Sequence, residues 1–319
     1  MRTRRLLVAT VAALSLALAG CGSGARSGDD EPLEIAIVSK GFQHEFWQAV
    51  KQGADQEAAR QQVNITFEGP ATESEIEAQV TMLTNAVGRG PDALAVAALD
   101  SRAAAPVLQQ AQGSGIPVVA FDSGVESDIP VTTAATDNRA AAAEAAKQLS
   151  TALGGVGKVG VVVHDQTSRS GIDRRDGFVE WMRANAPGIQ LLDPQYGGGD
   201  QAKSADIAKA IVAANPDLRG IYGSNEGTAI GVTRGVGESG RQGVAIAGFD
   251  SGSGQTDAIR DGRQLGAVTQ DPVRMGAEVV KAAVKAVNGE EQPKVINTGF
   301  YWYDRSNIND PRIQSSLYE

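Results

Sequence analysis

From about residue 33 onward, the sequence alternates between short runs of β-branched residues and longer stretches with helical spacing. Residues 34–39 (Glu-Ile-Ala-Ile-Val-Ser) predict a strand, and Phe46, Val50 and Ala54 then recur on one helix face. Further strands are predicted at 93–97, 117–121, 158–163, 190–192, 220–223, 244–249 and 265–269. Further helices are predicted from the capping box Thr72–Glu75 to Gly88 and at 103–112, 138–153, 173–186, 203–214, 227–238 and 255–261. Such alternation predicts an α/β fold with doubly wound parallel sheets.

Two short motifs occur twice in the same order, which suggests a duplicated lobe. Residues 90–92 (Gly-Pro-Asp) and 215–217 (Asn-Pro-Asp) each lead into a strand, and the sequence Phe-Asp-Ser-Gly follows at 121–124 and again at 249–252. Because ligands bind beyond the carboxyl ends of parallel strands, each lobe is expected to present one carboxylate, Asp122 or Asp250, to a shared crevice. The alternative is that both aspartates are ordinary turn residues.

Length and composition exclude several classes of protein. The 319 residues suggest two domains, and the formal net charge of -9 gives no basic surface for nucleic acid. One cysteine and two histidines exclude an internal disulfide framework and make a Cys/His metal site a poor prediction. We therefore expect no metal, no cofactor and no nucleic-acid partner.

The first 20 residues have the pattern of an export signal. A basic start (Met-Arg-Thr-Arg-Arg) precedes an apolar run at 6–19, which is too short for a permanent membrane span. The run ends in Leu-Ala-Gly before Cys21, the only cysteine, and this resembles a bacterial lipoprotein signal. We predict a signal peptide at 1–20, lipidation of Cys21 and a flexible tether at 21–32; a plain secretory signal is the alternative.

Polar residues follow most of the predicted strands, and together they suit a ligand rich in hydroxyl groups. Carboxylates accept from hydroxyls, Arg and Lys donate, amides do both, and aromatic faces cover C–H patches. The candidate ligand-binding residues are Lys40, His44, Phe46, Trp47, Asp122, Asp165, Gln166, Arg174, Asn225, Asp250 and Gln270. Phe46 and Trp47 are alternatively core residues, and Arg174 alternatively belongs to a solvated charge cluster.

Enzyme motifs find little support in the sequence. No Gly-x-Ser-x-Gly elbow occurs, and residues 154–158 (Gly-Gly-Val-Gly-Lys) lack the spacing and the Ser/Thr of a phosphate-binding loop. His164 and Asp165 form the best acid/base pair, but no nucleophile or metal accompanies them. We therefore predict a binding protein and not an enzyme; a secreted sugar-modifying enzyme is the less favoured reading.

Several motifs together resemble the ribose- and galactose-type periplasmic solute-binding proteins of bacterial ABC importers. They are Phe46-Trp47, Gly115-Ile116-Pro117-Val118, Thr136-Asp137-Asn138, Arg174 with Asp176-Gly177-Phe178, Asn225-Glu226, Gly248-Phe249-Asp250 and Gln270. The resemblance implies a type 1 fold of two Rossmann-like lobes joined by three crossings near Asp137, Gln270–Asp271 and Thr298–Gly299. The N-terminal lobe is then 33–136 plus 271–298, and the C-terminal lobe is 137–270 plus 299–319.

The resemblance also implies roles and partners. Phe46 and Trp47 become stacking faces, Asp122, Asn225 and Asp250 hydroxyl partners, Arg174 a donor and Gln270 a hinge contact. The implied protein is a monomer outside the cytoplasm that touches the membrane through its lipid alone and delivers a small sugar or polyol to an ABC permease. Lys40, Asp122, Asp165 and Gln166 also resemble the branch that binds autoinducer-2, which is the alternative ligand.

Overall fold

The computed structural model describes residues 31–318. The predicted signal peptide, Cys21 and most of the tether at 21–32 lie outside the described residues. Within 31–318, no helix has the length and apolar character needed to cross a membrane.

The N-terminal lobe is built on a six-stranded sheet in which all pairings are parallel. The strands are β1 (Glu34–Val38), β2 (Asn64–Glu68), β3 (Ala93–Val96), β4 (Val118–Phe121), β5 (Thr133–Ala135) and β12 (Val295–Asn297), in the order β12-β5-β4-β3-β1-β2. Its helices are α1 (Glu45–Gln61), α2 (Ile76–Gly88), α3 (Ala105–Gly113) and α9 (Pro272–Val287). Helices α1 and α9 cover one face and α2 and α3 the other, so the central strands are buried on both sides.

The C-terminal lobe repeats this plan. Its strands are β6 (Val156–Val163), β7 (Gly188–Leu191), β8 (Gln195–Tyr196), β9 (Leu218–Gly223), β10 (Ala245–Phe249), β11 (Gly266–Gln270) and β13 (Phe300–Asp304), in the order β13-β11-β10-β9-β6-β7 with β8 also paired to β6. Its helices are α4 (Asn138–Leu153), α5 (Arg169–Asn185), α6 (Gln201–Ala214), α7 (Glu226–Glu238), α8 (Ser253–Arg260) and α10 (Pro311–Gln314). Helices α4 and α5 cover one face, and α6 and α7 the other.

The two sheets confirm the predicted fold class and explain the repeated motifs. Strands β4 and β10, which precede the two Phe-Asp-Ser-Gly motifs, occupy the third position from the same end of their sheets. Strands β3 and β9, which follow the two Pro-Asp motifs, both occupy the fourth. Equivalent sequence motifs therefore fall on equivalent strands of two similar lobes.

The chain passes between the sheets three times, at 136–137, at 271 and at 298–299. Thr136 connects all three crossings, because its hydroxyl donates to Gln270 Oε1 at 2.7 Å and lies 3.4 Å from the carbonyl oxygen of Gly299. A second link runs from the Thr298 amide to the Ala135 carbonyl, at 3.1 Å. The crossings therefore form one hydrogen-bonded hinge.

Strand β13 departs from the predicted parallel arrangement. It pairs antiparallel with β11, from Gly266 opposite Asp304 to Gln270 opposite Phe300. The cause is the short third crossing: β11 ends at the hinge, whereas β13 begins there directly after Gly299, whose φ is 86°. The two strands must therefore run in opposite directions.

Helix α2 begins later than the capping box predicted. The Thr72 amide does donate to Glu75 Oε2 at 3.2 Å, but Glu75 is the residue before the helix and 71–74 form turns. These turns carry the side chain of Glu73 into the protein, where it accepts a hydrogen bond from Trp47 Nε1. A helix starting at Thr72 is thus replaced by a loop that delivers a buried carboxylate.

Helices α1 and α9 approach closely through two glycines. A Cβ at Gly276 would overlap the Val50 carbonyl oxygen, and a Cβ at Gly53 would overlap the carbonyl oxygen of Val273. Since both obstacles are backbone atoms, no side-chain adjustment relieves them, and the helix pair requires glycine at both positions.

We predict that Gly276→Ala lowers the free energy of unfolding by about 1 to 3 kcal/mol, because overpacking separates α1 from α9. The matched control is Gly237→Ala on α7, where a Cβ meets nothing within 4 Å. There, higher helix propensity should stabilise by up to about 1 kcal/mol. Denaturant unfolding of both variants checks this; equal stability of Gly276→Ala and wild type would contradict it.

Candidate ligand-binding site

The carboxyl ends of the parallel strands in both sheets face one cleft, which contains about 250 Å³ of space not filled by protein atoms, part of it open to solvent. Both lobes contribute, as the predicted shared crevice requires. The N-terminal lobe supplies Lys40, His44, Phe46, Trp47, Glu73 and Asp122, and the C-terminal lobe supplies His164, Ser170, Arg174, Asn225, Asp250 and Gln270.

Phe46 and Trp47 lie in the first turn of α1 and form one wall. Their rings meet edge to face with centroids 4.9 Å apart, and Trp47 also contacts Phe121 edge to face. The indole Nε1 donates to Glu73 Oε1 at 2.7 Å, which fixes the ring orientation. Both aromatic residues line the cavity and also belong to the core of the lobe, so the two readings of this pair coexist.

The two repeated aspartates share an unusual backbone conformation. Asp122 has a φ of 52° and Asp250 a φ of 81°, in the left-handed region that aspartate tolerates better than most residues. Each follows a strand, and the turn aims each carboxylate into the cleft between the lobes. The duplication therefore extends from sequence to backbone geometry.

The carboxylates of this pair differ in their hydrogen bonds. Asp250 accepts from the Glu226 amide at 2.9 Å and from Gln270 Nε2 at 2.7 Å. Among residues 31–318, no group donates a hydrogen bond to the Asp122 carboxyl. Burial raises the pKa of Asp122 to about 6, although Lys40 and Arg174 act in the opposite direction. Asp250 is thus partly structural, whereas Asp122 keeps its acceptors free.

Arg174 on α5 connects the two aspartates across the cleft. Its Nη1 lies 3.7 Å from Asp250 Oδ2, and its Nη2 lies 4.0 Å from Asp122 Oδ1. The guanidinium stacks over Phe249 at 3.7 Å from the ring centroid and donates to Asn138 and to the Ser224 carbonyl. These contacts hold Arg174 in one orientation inside the cavity and exclude the solvated-cluster reading.

Lys40 is the second buried cation that lines the cavity, and it lies among carboxylates. Its Nζ donates to Ser170 Oγ at 3.4 Å and lies 3.8 Å from Glu73 Oε2 and 3.7 Å from Asp165 Oδ2. Burial alone lowers the pKa of Lys40, but Glu73, Asp165 and Asp122 outweigh it and raise the pKa overall. The pKa of Glu73 falls to about 2 despite its burial, because the Lys40 ammonium opposes that effect. The cluster is therefore a set of paired ions.

Both histidines are buried, and burial lowers the pKa of each, to about 3 for His164. His164 Nδ1 lies 2.7 Å from Ser224 Oγ and its Nε2 lies 3.4 Å from Asp165 Oδ2. His44 precedes α1 and contacts Gln43 and Asn225. Both imidazoles are neutral at physiological pH, so they serve as hydrogen-bonding groups in the cavity wall.

The cavity brings together all but two of the predicted site residues. Asp165 does not line the cavity. Its Oδ2 lies 3.7 Å from Lys40 Nζ, and its carboxylate accepts hydrogen bonds from the Ser168 amide and hydroxyl. Gln166 is exposed and faces a separate depression beside Ser101 and Thr167. Three lining residues were not among the candidates: Glu73, His164 and Ser170. Only His164, at the end of a strand, carried a usable signal, because Glu73 looked like part of a helix cap and Ser170 like a helix residue.

We predict that Asp122 makes stability depend on pH between about 4 and 6. Its pKa is raised from 3.8 to about 6, so its contribution is full below pH 3.8 and is lost as the pH rises through 6. As the pH rises from 3.8 to about 6, the free energy of unfolding of the wild type should therefore fall by up to about 3 kcal/mol relative to that of Asp122→Asn.

Denaturant unfolding at several pH values measures this difference, with the exposed Asp128→Asn as the matched control. Burial and Asp250 raise the pKa of Glu226 to about 8. Because Glu226 is present in both wild type and Asp122→Asn, we expect its titration to contribute equally to both curves. Parallel pH curves for wild type and Asp122→Asn would show that the Asp122 carboxyl is not perturbed.

Comparisons with known proteins agree with this geometry. Residues 35–291 match the sequence profile of a family described as periplasmic binding protein domain. A D-ribose/D-allose-binding protein of Pseudomonas aeruginosa is 27% identical over 302 residues, covering 90% of this chain and 92% of the relative. This relative is a binding protein and not an enzyme, which confirms the prediction that the chain is not an enzyme.

Solved structures give the same result. An ABC transporter solute-binding protein from Agrobacterium vitis with bound D-fucose has a TM-score of 0.86 and 36% identity, covering 89% of this chain and 100% of that one. Another from the same organism, bound with α-D-tagatopyranose, has a TM-score of 0.86 and 29% identity, covering 90% and 99%. The predicted resemblance is confirmed, and the chain belongs to the periplasmic binding protein family.

Proposed function

We propose that this protein captures a small neutral sugar or polyol between its two lobes and delivers it to an ABC permease outside the cytoplasm. The observation that carries the proposal is the position of Arg174, which faces Asp122 of one lobe and Asp250 of the other inside the cavity. A ligand between these groups contacts both lobes at once and therefore favours the closed arrangement.

The polar groups suit hydroxyls. The Asp122 carboxyl has free acceptor positions, Arg174 Nη2 is a donor, and Asn225 offers an amide whose Oδ1 already accepts from Thr228. Phe46 and Trp47 supply an apolar face for the C–H side of a sugar ring. This combination of fixed donors, fixed acceptors and an aromatic wall is the chemistry by which a polyhydroxylated molecule is recognised.

Charge and size favour a small neutral ligand. The Lys40 ammonium is balanced by Glu73 and Asp165, and Arg174 lies between two aspartates, so the cavity leaves no unpaired cation for an anionic ligand. The space between the lining side chains that protein atoms leave unfilled is only about 250 Å³, part of it open to solvent, so a small ligand is favoured. The named relatives bind sugars, and they give no support to autoinducer-2 as the ligand.

We predict that titration calorimetry with D-fucose, D-ribose and D-allose detects binding of at least one sugar, with a smaller radius of gyration in its presence. Asp122→Asn should weaken binding about 10-fold or more, because the charge-assisted hydrogen bond contributes roughly 1.5 to 3 kcal/mol. Asparagine is the chosen replacement because it tolerates the positive φ of 52°. Asp128→Asn is the control.

The outcomes separate two errors. If no sugar in the panel binds, the proposed function is wrong. If a sugar binds equally well to wild type and Asp122→Asn, the site assignment is wrong while the function stands.

We further propose that Cys21 carries the lipid that anchors the protein to the outer face of the cell membrane and that the protein acts as a monomer. We predict that the wild type sediments with membranes and that Cys21→Ser is released, because two acyl chains hold a protein where one gives marginal binding. Cell fractionation and mass spectrometry of the N-terminal peptide measure this. Equal solubility of both proteins would contradict lipidation.

A further inference from the structure

Two glutamates, one from each lobe, bind helix N-termini of the opposite lobe. Glu226, the first residue of α7, accepts hydrogen bonds from the amides of Glu45 at 3.0 Å and Phe46 at 3.1 Å, which begin α1. Glu45 in turn accepts from the Ser253 amide at 2.8 Å and the Ser253 hydroxyl at 2.7 Å, where α8 begins. We call these four hydrogen bonds the clasp.

The clasp gives hydrogen-bond acceptors to the groups at the starts of α1 and α8, which find no side-chain cap within their own lobe. The first amides of a helix have no partner inside the helix and donate to a nearby carboxyl oxygen, whether or not the carboxyl group is ionised. His44 precedes α1 without capping it through its side chain, and Gly252 precedes α8 and has no side chain to offer. Both helices are therefore capped across the cleft, and opening the lobes exchanges these caps for water.

The absence of a side chain at Gly252 leaves room for the Glu226 side chain of the clasp. A Cβ at this position would lie 2.7 Å from Cδ and 2.9 Å from Oε1 of Glu226, and its three nearest neighbours are all atoms of that one side chain. The φ of Gly252 is -59°, which any residue can adopt. Glycine at 252 is thus explained by the position of the Glu226 carboxylate and not by backbone strain.

The clasp is mechanically connected to the ligand site without being part of it. The Glu226 amide donates to Asp250 Oδ2, and the Phe46 amide that Glu226 binds belongs to an aromatic residue of the cavity wall. Neither Glu45 nor Glu226 lines the cavity. Both glutamates stand beside ligand-binding residues and face the other lobe.

We infer that Glu226 and Glu45 are positioning residues that set ligand affinity by stabilising the closed lobes and do not contact the ligand. This inference rests on the proposed function and adds a ligand-independent contribution to closure. Apparent affinity is proportional to the fraction of protein in the binding-competent state. Weakening the clasp should therefore weaken every ligand that closes the lobes by the same factor.

The test compares Glu226→Ala, Gly252→Ala and Glu45→Ala with the wild type. Glu238→Ala, the last residue of α7, is the matched control, because its carboxylate contacts Arg234 and Lys209 on the C-terminal lobe surface. Calorimetry with two sugars and stopped-flow dissociation are the measurements. Glu226→Ala and Gly252→Ala should raise Kd and the dissociation rate about 10-fold for both sugars, and the more exposed Glu45→Ala about 3-fold.

Melting without sugar identifies variants that fail to fold, and Gly252→Ala keeps the inference testable because it displaces the Glu226 carboxyl group without removing it. Unchanged Kd in Glu226→Ala and Gly252→Ala would overturn the inference. So would losses that differ more than threefold between sugars, because that pattern indicates direct ligand contact.

Failure of the proposed function leaves a separate readout. If wild type binds none of the sugars, small-angle scattering of the sugar-free proteins still decides the role of the clasp. A larger radius of gyration in Glu226→Ala and Gly252→Ala than in wild type and Glu238→Ala supports it, and equal radii overturn it.

Discussion

Burying charge is the constraint on which the closed cleft depends, because an ion withdrawn from water must find a partner in the protein. Arg174 meets this requirement by spanning both lobes: it stacks on Phe249, donates to Asn138, and lies between Asp122 and Asp250. Lys40 likewise spans the lobes, because it lies between Glu73 of one lobe and Asp165 of the other. Removing either cation, Arg174 or Lys40, would leave the buried carboxylates beside it without a counter-ion.

The fold places these ions close together. Parallel sheets present all their carboxyl ends at one edge, and two similar lobes turn those edges toward each other. Gln270 links this site to the hinge, since it donates to Asp250 and accepts from Thr136 at the first crossing. A change in the angle between the lobes is therefore expected to alter the hydrogen bonding of Asp250, which lines the cavity.

The sequence predicted the architecture well because local periodicity determines it. Helix α4 is found at its predicted bounds, 138–153, and the duplicated Asp122 and Asp250 are at matching strand ends. The three-residue strands β5 and β12 were missed, because three residues show no periodicity and such a strand forms only by pairing with a neighbour. Glu73 and the antiparallel β13 depend on tertiary contacts: a tryptophan donor 26 residues away and a crossing only two residues long. Local sequence patterns cannot encode either.

The left-handed backbone at Asp122 and Asp250 restricts how this family of sites can evolve. Only glycine, asparagine and aspartate adopt that conformation readily, so a glutamate is disfavoured there by the main chain, whatever the ligand prefers. An aspartate codon lies one base change from an asparagine codon and one base change from a glycine codon. Drift at either position can therefore exchange a charge for a neutral amide or for empty space while the turn is preserved, which gives each lobe a short, ready path to a new ligand preference.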